Sequence, residues 1–439
     1  MKKISLGILT ILVTGSMYYF FSHNIIKEQV DKELITIQKY GVIIEDKKIV
    51  KNKEHFVVVL DNTTKILPYI LNRGLNIDKE ALNVFEGAKL GIDIEYSNSL
   101  DTSIILNLYP ISLPSSLLSS VNEPKMKIFI TTLQDMLKRK VFLTTLSFNK
   151  IGTSFQGHLK NIDEKIKIDT KAVHLKMNSA NFKGTIKEDM IASLKEEIKI
   201  LQIIINKEAN LLLNNITSNY QKNGKSNFDY NAKNRIEKII IQGDMLPNIT
   251  ISDLKSHSIY KVNNNLLSNS VENSIENITI KENTQKTSFN KIKLNISSKN
   301  IDINALEELI NPSTISNINH SLQLLISKGI TVDISNFSIK EIFIGKENLQ
   351  GLKMNASIIV NKLFQMQKLQ KSPMALLNAL NGDLTMKIDD PLFSSISQYP
   401  KAIVPLMFFP PKAKEGYKYY KINLKDGALK INGTPAIGI

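Results

Sequence analysis

The residues of this chain that can do chemistry are scattered along it rather than grouped. Six histidines stand singly: His23, His55, His158, His174, His257 and His320. None has a second ligand at a spacing that metal sites use. There is no cysteine, which removes thiol nucleophiles, cysteine-bound metals, disulfides and lipid attachment through cysteine. We therefore predict no catalytic, cofactor-binding or metal-binding residue, and a protein that is not an enzyme.

Two local features could be mistaken for catalytic or metal-binding residues, but a structural role explains them better. Asp389 and Asp390 form an acidic pair before Pro391, yet neighbouring residues of a strand point to opposite faces. A turn or a helix that begins at the proline accounts for the pair better. His174 falls on the apolar face of an alternating segment, which predicts a buried, hydrogen-bonded histidine rather than a ligand or base. No metalloprotease, serine-hydrolase, phosphate-loop or dinucleotide motif occurs.

The basic charge of the chain does not indicate a nucleic-acid partner. The net charge of +15 is the difference between 56 basic and 41 acidic residues. The lysines are spread one or two at a time, often alternating with isoleucine as in residues 165–168. No run of five basic residues occurs, and there is no tryptophan to stack on bases. We expect solvated charge with a weak attraction to anionic lipid headgroups.

The N-terminus has the features of a membrane anchor. Ile4–Phe21 carries no charge and follows Lys2 and Lys3. A helix of that length spans roughly 27 Å, close to one bilayer core. Residues 14–16 are a possible signal-cleavage site, but the aromatic run at 17–21 continues beyond it and favours a retained anchor. We predict a single-pass protein of the bacterial inner membrane with its body in the periplasm.

Two long segments have helical periodicity. His23–Tyr40 is predicted to be an amphipathic helix beside the membrane. Asp189–Tyr220 is predicted to be a long helix that packs on a sheet, with binding to a partner or to lipid as the alternative. Its apolar residues recur at intervals of three, four or more: Ile191, Leu194, Ile198, Leu201, Ile205 and Leu212.

Strands dominate the rest of the chain. Lys140–Ile186 alternates between apolar and polar residues, as a sheet with one dry and one wet face does. Gly91–Tyr109 has the pattern of a strand pair. Shorter strands are expected at Lys238–Gln242, Asn248–Leu254, Ser274–Lys281 and Lys291–Ser297.

The C-terminal part contains helix caps and turn signals. Asp302 is placed to cap a short helix that ends at Leu309, and Gly329 ends a second helix over Ile315–Lys328. A strand over Ile330–Gly345 changes parity, which suggests a bulge. The chain closes with a hairpin across Asp426-Gly427, a type I′ dipeptide. Its facing apolar residues are Ile422, Leu424, Leu429 and Ile431.

Four other segments have a compositional interpretation. Gln221–Asn231 is polar and is the best linker candidate. Asn263–Asn277 is rich in asparagine and has the composition of a loop with some order. Met374–Asn381 is predicted to be a short helix stopped by glycine. Ile403–Phe409 is too short to cross a membrane; we expect it to be buried, or else to meet a membrane surface or partner.

These elements together predict an α+β protein. An N-terminal transmembrane helix is followed by a β-rich body of long, mainly antiparallel sheets with several packed helices. The expected domains are the anchor (1–22), a juxtamembrane helix (23–47), an N-terminal α+β subdomain (48–220) and a C-terminal α+β subdomain (232–439).

The C-terminal half resembles the YdgA-like family of bacterial envelope proteins, a domain of unknown function. Lys291–Ile296 followed by Asp302–Leu306 is similar to the strand-then-helix step of that family. Leu324–Val332 and Leu352–Val360 are similar to its helix–glycine–strand step, and Tyr420–Gly433 to its terminal hairpin. The resemblance implies architecture and an envelope location, and it brings no catalytic residues.

From these observations we expect a non-enzymatic envelope protein that contacts lipid or protein partners. A sheet with one apolar side can hold acyl chains in a groove. Two alternatives stay open: a hydrolase whose site is assembled from distant residues, and an accessory subunit of an envelope complex.

Overall fold

The computed structural model describes residues 27–72, 82–97, 102–118, 124–150, 152–168, 171–187, 190–206, 208–226, 228–310, 315–364, 378–399 and 406–436. These residues fold into two compact units. The first unit extends to Gln221 and includes Gly243–Met245. The second unit contains Lys222–Gln242 and the chain from Leu246 onward, so the division falls beside the polar stretch Gln221–Asn231.

Strands greatly outnumber helices in both units. The first unit contains α1 (Lys27–Lys39), β1 (Val42–Val50), β2 (Lys53–Leu60), α2 (Thr63–Asn72), β3 (Lys89–Tyr96), β4 (Thr102–Ser112), α3 (Ser115–Leu118), α4 (Pro124–Lys138), β5 (Thr144–Asn149), β6 (Ser154–Leu159), β7 (Ile162–Ile168), β8 (Lys171–Lys187), β9 (Met190–Ile205) and β10 (Ala209–Lys222). The second unit is built from β11 (Tyr230–Gly243), β12 (Leu246–Asn263), β13 (Leu266–Glu282), β14 (Gln285–Asp302), α5 (Ile303–Ile310), α6 (Ile315–Ser327), β15 (Thr331–Ile344), β16 (Glu347–Asn348), β17 (Leu352–Val360), β18 (Leu380–Asp389), α7 (Asp390–Ser397), β19 (Lys412–Lys414), β20 (Tyr417–Lys425), β21 (Ala428–Ile431) and β22 (Thr434–Pro435).

The first unit is an antiparallel meander in which strands pair mainly with their neighbours in sequence. β1 to β6 pair in order, β8 pairs with both β6 and β7 along one edge, and β9 and β10 follow on the other edge. Short reversals make this order possible, for example at Lys51 and Asn206, whose positive φ values of 56° and 49° suit tight turns. The topology therefore needs only local connections.

Helices cover one face of the sheet over β2 to β5. Val30, Leu34 and Ile37 of α1 recur at helical spacing and pack into the same cluster as Phe56 and Leu106. Phe56 and Leu106 are each 0% exposed. Full burial of such a side chain stabilises the fold by roughly 1.5–3 kcal/mol. This covered region is therefore a hydrophobic core of the first unit.

The second unit is also an antiparallel meander. β12, β13, β14, β15, β17, β18, β20 and β21 pair in that order. β11 lies beside β12, because Tyr230 stacks on Tyr260 with ring centroids 4.6 Å apart and Asn231 bonds His257 at 3.0 Å. β12 to β14 each contain 17 or 18 residues, which is long for strands in a globular protein.

The expected α+β class is wrong, since the described chain is mostly antiparallel sheet. The long helix predicted over Asp189–Tyr220 is instead the β9–β10 hairpin. Five isoleucines lie between Ile198 and Ile205, and such β-branched residues favour strands. The helical rhythm arises because residues three apart, such as Ile198 and Leu201, lie on one side of this sheet.

Other predicted boundaries also change. The short strands expected between residues 238 and 297 are parts of strands of 14 to 18 residues. Asn263–Asn277 is not a loop: Asn264 and Asn265 form a turn with φ values of 49° and 62°, and β13 follows. The predicted helix Met374–Asn381 lies partly outside the described residues, and its last two residues begin β18.

Several local predictions are confirmed. The Asp302 carboxylate accepts a hydrogen bond from the Ala305 backbone amide at 3.1 Å, as an N-cap does. Gly329 follows α6 with a φ of 70°, and β15 contains a register shift between Ile334 and Phe337. The acidic pair before Pro391 stands at the start of α7.

The terminal hairpin pairs the four predicted apolar residues across its turn. Asp426 and Gly427 have φ values of 51° and 80°, the geometry of a type I′ turn. Its turn chemistry therefore sets the register of β20 and β21.

The predicted membrane segment Ile4–Phe21 lies outside the described residues. Within the part of the chain that is described, no helix is long and apolar enough to cross a bilayer.

Candidate binding faces of the sheets

One histidine belongs to a polar network on the first unit. His55 Nδ1 lies 2.6 Å from Asp93 Oδ1, and Tyr109 donates its hydroxyl to the same carboxylate at 3.2 Å. Lys140 Nζ lies 3.4 Å from Asp93 Oδ2 and 3.5 Å from the centre of the Tyr109 ring. Burial raises the pKa of Tyr109, so its hydroxyl stays protonated at neutral pH. This network holds three strands together, and no serine, threonine or cysteine takes part in the contacts that define it.

His174 does not occupy the buried position that the alternation predicts. It pairs across the sheet with Lys165, on the polar face, and its ring bonds the exposed carboxylate of Asp163. This hydrogen bond lowers the pKa of Asp163. The turn between β7 and β8 sets Ile168 against Lys171, so the sequence alternation does not continue unchanged from one strand to the next.

The first unit has a cleft of about 650 Å³, which we call the polar cleft because polar residues predominate in its lining, although Ile105 and Phe182 also line it. Its lining residues include Thr145, Ser147, Gln156, His158, Asn181, Lys183, Lys195 and Glu197. The Ser147 hydroxyl donates to the Gln156 carbonyl oxygen, and Glu197 forms an ion pair with Lys195 that lowers the glutamate pKa. Among the described residues, no hydrogen bond joins His158 to this serine or this glutamate. The cleft therefore contains no assembled nucleophile and base.

An apolar face runs across the second unit from strand to strand. Directly paired residues of antiparallel strands lie on the same face. One row across the sheet consists of Leu254, Ile275, Ile292, Ile339 and Leu352. A neighbouring row consists of Ile251, Ile278, Phe289 and Ile342. We call these two rows the apolar stripe.

The two rows of the apolar stripe lie on one side although their members are three residues apart. Ile339 and Ile342 pack into a single cluster, which fixes both on the same face. Asp253 and Lys291 stand between the rows on alternate strands, each with a φ of 53°. Such a left-handed residue reverses the pleat, so two successive residues can point away from the stripe. Lys291 is accordingly exposed.

The face opposite the apolar stripe is a ladder of polar side chains. Asn277 donates to Asn290 at 2.6 Å, and Asn290 donates to Glu341 at 3.2 Å. Ser357 donates to Asp333 at 2.6 Å on the same sheet. One face of the sheet in the second unit is thus apolar and the opposite face is polar.

Helix α7 covers one end of the apolar stripe. Leu392 and Phe393 of α7 pack with Phe289, Ile339 and Ile342. Farther along the sheet, the stripe residues of β12 and β13 are neither fully buried nor fully exposed. Covered residues of β2 to β5 are fully buried by comparison, so the part of the stripe on β12 and β13 lacks such a cover among the described residues.

The first unit contains the same arrangement on β8 to β10, with one acidic exception. Ser179 and Asn215 have φ values of 52° and 49° at the equivalent places. Glu196 lies on the core side, paired with Phe182 and Ser218. Burial raises the pKa of Glu196, while a hydrogen bond with Ser218 partly opposes that shift.

Sequence reasoning missed the apolar stripe because it expected short, separate strands there. The available signal was the repeated spacing of two, then three, between apolar residues, as in Ile249, Ile251 and Leu254. The predicted absence of catalytic and metal residues stays a prediction.

Comparison with known proteins adds no relative. No family model matches the chain, and no curated protein or solved structure matches it. The resemblance to the YdgA-like family therefore stays a proposal based on its motifs.

Proposed function

We propose that this chain is a non-enzymatic lipid-binding protein of the bacterial envelope, which holds hydrocarbon chains on the apolar stripe. The observation that carries the proposal is a continuous apolar face whose part on β12 and β13 is not covered by described helices. The stripe contains mainly isoleucine and leucine, and none of its residues is charged.

The dimensions of the stripe suit an acyl chain. The longer row crosses β12, β13 and β14 before it reaches Ile339 and Leu352, which pack in the cluster of α7. Three strands about 4.8 Å apart make this open part roughly 14 Å wide. One acyl chain occupies about half of a 30 Å bilayer core, or about 15 Å. Each methylene removed from water contributes about 0.8 kcal/mol, so even partial contact along the stripe offers substantial affinity.

Composition also supports a lipid as the occupant. The net charge of +15 attracts the anionic headgroups that accompany many acyl chains. A location outside the cytoplasm, proposed from the N-terminal sequence and the YdgA-like motifs, would bring the protein to such lipids. A reporter enzyme fused after Ile439 that is active only outside the cytoplasm would support this location; activity only in the cytosol would contradict it.

Photolabelling tests the proposal directly. Full-length protein is incubated with a palmitic acid analogue that carries a photoreactive diazirine, irradiated, digested and analysed by mass spectrometry. We expect labels on stripe residues such as Ile275 and Ile292, and loss of the label with excess palmitate. Absence of labelling, or equal labelling of the polar ladder around Asn290, would contradict acyl binding on this face.

The two alternative functions have less support. A hydrolase needs a nucleophile beside a base, and neither the polar cleft nor the His55 network contains that pair. An accessory subunit would present a large apolar surface to a protein partner. Chemical crosslinking that recovers a partner protein, from material free of bound lipid, would favour it.

A further inference from the structure

A second apolar feature of the second unit is exposed rather than recessed. Met407 and Phe408 are 77% and 73% exposed, and Tyr399 is 63% exposed. The segment Ile403–Phe409 was expected to be buried, or else to meet a membrane surface or a partner. Residues 403–405 lie outside the described chain, and the exposure of Met407 and Phe408 contradicts burial. Single exposed apolar side chains are common, but adjacent ones such as Met407 and Phe408 are candidates for a contact surface.

The segment is held in place on both sides of the exposed pair. Leu406 packs into the cluster that contains Leu392 and Ile388. The Pro410 carbonyl oxygen accepts a hydrogen bond from the Asn432 side-chain amide at 2.8 Å. Met407 and Phe408 are thus presented between two fixed points.

Lysines are concentrated in the chain directly after the exposed pair. Residues 406–425 contain five lysines and one glutamate. Lys412 and Lys414 are exposed on β19, directly after the segment. Lys418, farther from it, already has a partner in Asp390 at 3.2 Å. Lys414 Nζ lies 5.7 Å from the centre of the Tyr419 ring, a weak contact. Because both β19 lysines are exposed, they can still contact an anionic surface.

We propose that Tyr399, Met407, Phe408, Lys412 and Lys414 form a docking surface for an anionic lipid bilayer. Aromatic and methionine side chains enter the interfacial layer, while the lysines contact anionic headgroups. The surface lies beside the cluster that borders the apolar stripe, since Leu406 packs with Ile339 and Phe289. The inference deepens the proposed lipid binding and rests on it for its purpose, but its own evidence is the exposure and charge of these residues.

The absence of tryptophan from the chain permits a local test. Phe408→Trp places a single tryptophan in the docking surface of the full-length protein. Leu363→Trp is the matched control, because Leu363 is 80% exposed in the same unit. Each variant is mixed with vesicles of brominated phosphatidylcholine, with or without phosphatidylglycerol. Quenching by bromine reports the depth of that one residue, whatever else attaches the chain to a vesicle.

We expect Phe408→Trp to shift its emission to the blue and lose most of its fluorescence with phosphatidylglycerol present, while Leu363→Trp changes little. Adding Lys412→Gln and Lys414→Gln should weaken this response about tenfold or more, because each lysine near an anionic surface contributes about 1 kcal/mol. Equal quenching of both tryptophans, no quenching of either, or independence from phosphatidylglycerol would overturn the proposal.

A response of Phe408→Trp only to an added envelope protein would also overturn the bilayer assignment. The diazirine label on Ile275 is measured separately. Docking without labelling would refute acyl binding alone, and labelling without docking would refute this surface alone.

Discussion

One substitution on β13 distinguishes a lipid-binding stripe from an ordinary sheet face. Ile275 lies in the apolar stripe between Leu254 and Ile292. Ser274, its neighbour in the chain, lies on the opposite, polar face. Ile275→Asp places a carboxylate under the bound acyl chain, whereas Ser274→Asp adds the same charge to the same strand away from it.

The expected loss of affinity follows from the geometry of the stripe. One strand occupies about 4.8 Å of its length, or roughly a third of an acyl chain about 15 Å long. For a chain of about sixteen carbons, that is about five methylenes, each worth about 0.8 kcal/mol when fully buried. Because the stripe contacts one side of the chain, about half of this is lost. The result is about 2 kcal/mol, or roughly thirtyfold in Kd.

The two variants also differ in their expected stability. Ile275 is half-buried, so its replacement lowers the free energy of unfolding by about 1–2 kcal/mol, whereas Ser274→Asp stays within about 0.5 kcal/mol. Urea denaturation of both variants establishes that each is folded in the binding buffer. Ile292→Asp, at the neighbouring stripe residue on β14, replaces Ile275→Asp in this comparison if Ile275→Asp fails to fold.

Binding is measured by displacement of a fluorescent fatty acid from the full-length protein. We expect Ile275→Asp to bind about thirtyfold more weakly than the natural chain, and Ser274→Asp to match it. If folded Ile275→Asp and Ser274→Asp bind equally well, the stripe is not the lipid site and the reasoning from its apolar rows is refuted.

Three further predictions test the packing that supports these faces. Asp302→Ala should lower the free energy of unfolding by about 1 kcal/mol in urea denaturation, because the Ala305 amide loses its cap; Asp302→Asn should retain most of it. Gly184→Ala should cost about 1–3 kcal/mol by the same assay, since its new Cβ would stand 2.2 Å from the Phe155 ring; an unchanged midpoint would contradict this contact. Burial raises the pKa of Glu196, so the folded state binds the proton of this carboxyl more tightly than the unfolded state does. The contribution of Glu196 to stability is therefore greatest below the unfolded pKa and falls as pH rises through the folded pKa. Glu196→Gln should remove that fall when stability is measured at a series of pH values from acid to neutral, and an unchanged pH dependence would show that the carboxyl is ordinarily solvated.

Local signals in the sequence predicted local structure correctly. The cap at Asp302, the glycine after α6 and the turn at Asp426-Gly427 depend on a few adjacent residues whose conformational preferences are strong. The bulge in β15 was predictable for the same reason, because an extra residue in one strand is the usual cause of a parity change in its apolar pattern. These features required no knowledge of distant contacts.

The class of the long segment Asp189–Tyr220 was wrong because its pattern satisfies two geometries. Apolar residues three or four apart define one face of a helix, but they also define one face of a strand whose pleat reverses. Left-handed residues such as Ser179 and Asn215 create that reversal on the neighbouring strands. The isoleucine content of this segment could have decided the prediction in favour of a strand, because β-branched residues favour extended backbone over helix.

The reversed pleat, which made the prediction for Asp189–Tyr220 wrong, also forms the apolar stripe of the second unit. A strand with regular alternation places only every second residue on the apolar face, so its apolar residues lie two apart. The reversal at Asp253 and Lys291 turns two successive polar residues away from the stripe. The apolar residues on each side of the reversal, such as Ile251 and Leu254, therefore still lie on the same face of the sheet. Conflict between a local pattern and the ordinary rule for a strand is expected where a protein gives up regularity for function. In the first unit the same reversal turns Ile198 and Leu201 toward a cluster that contains Ile130 of α4, so there the reversed pleat serves an ordinary core. In the second unit no described helix covers the corresponding face of β12 and β13, and that difference is what leaves the stripe open to a ligand.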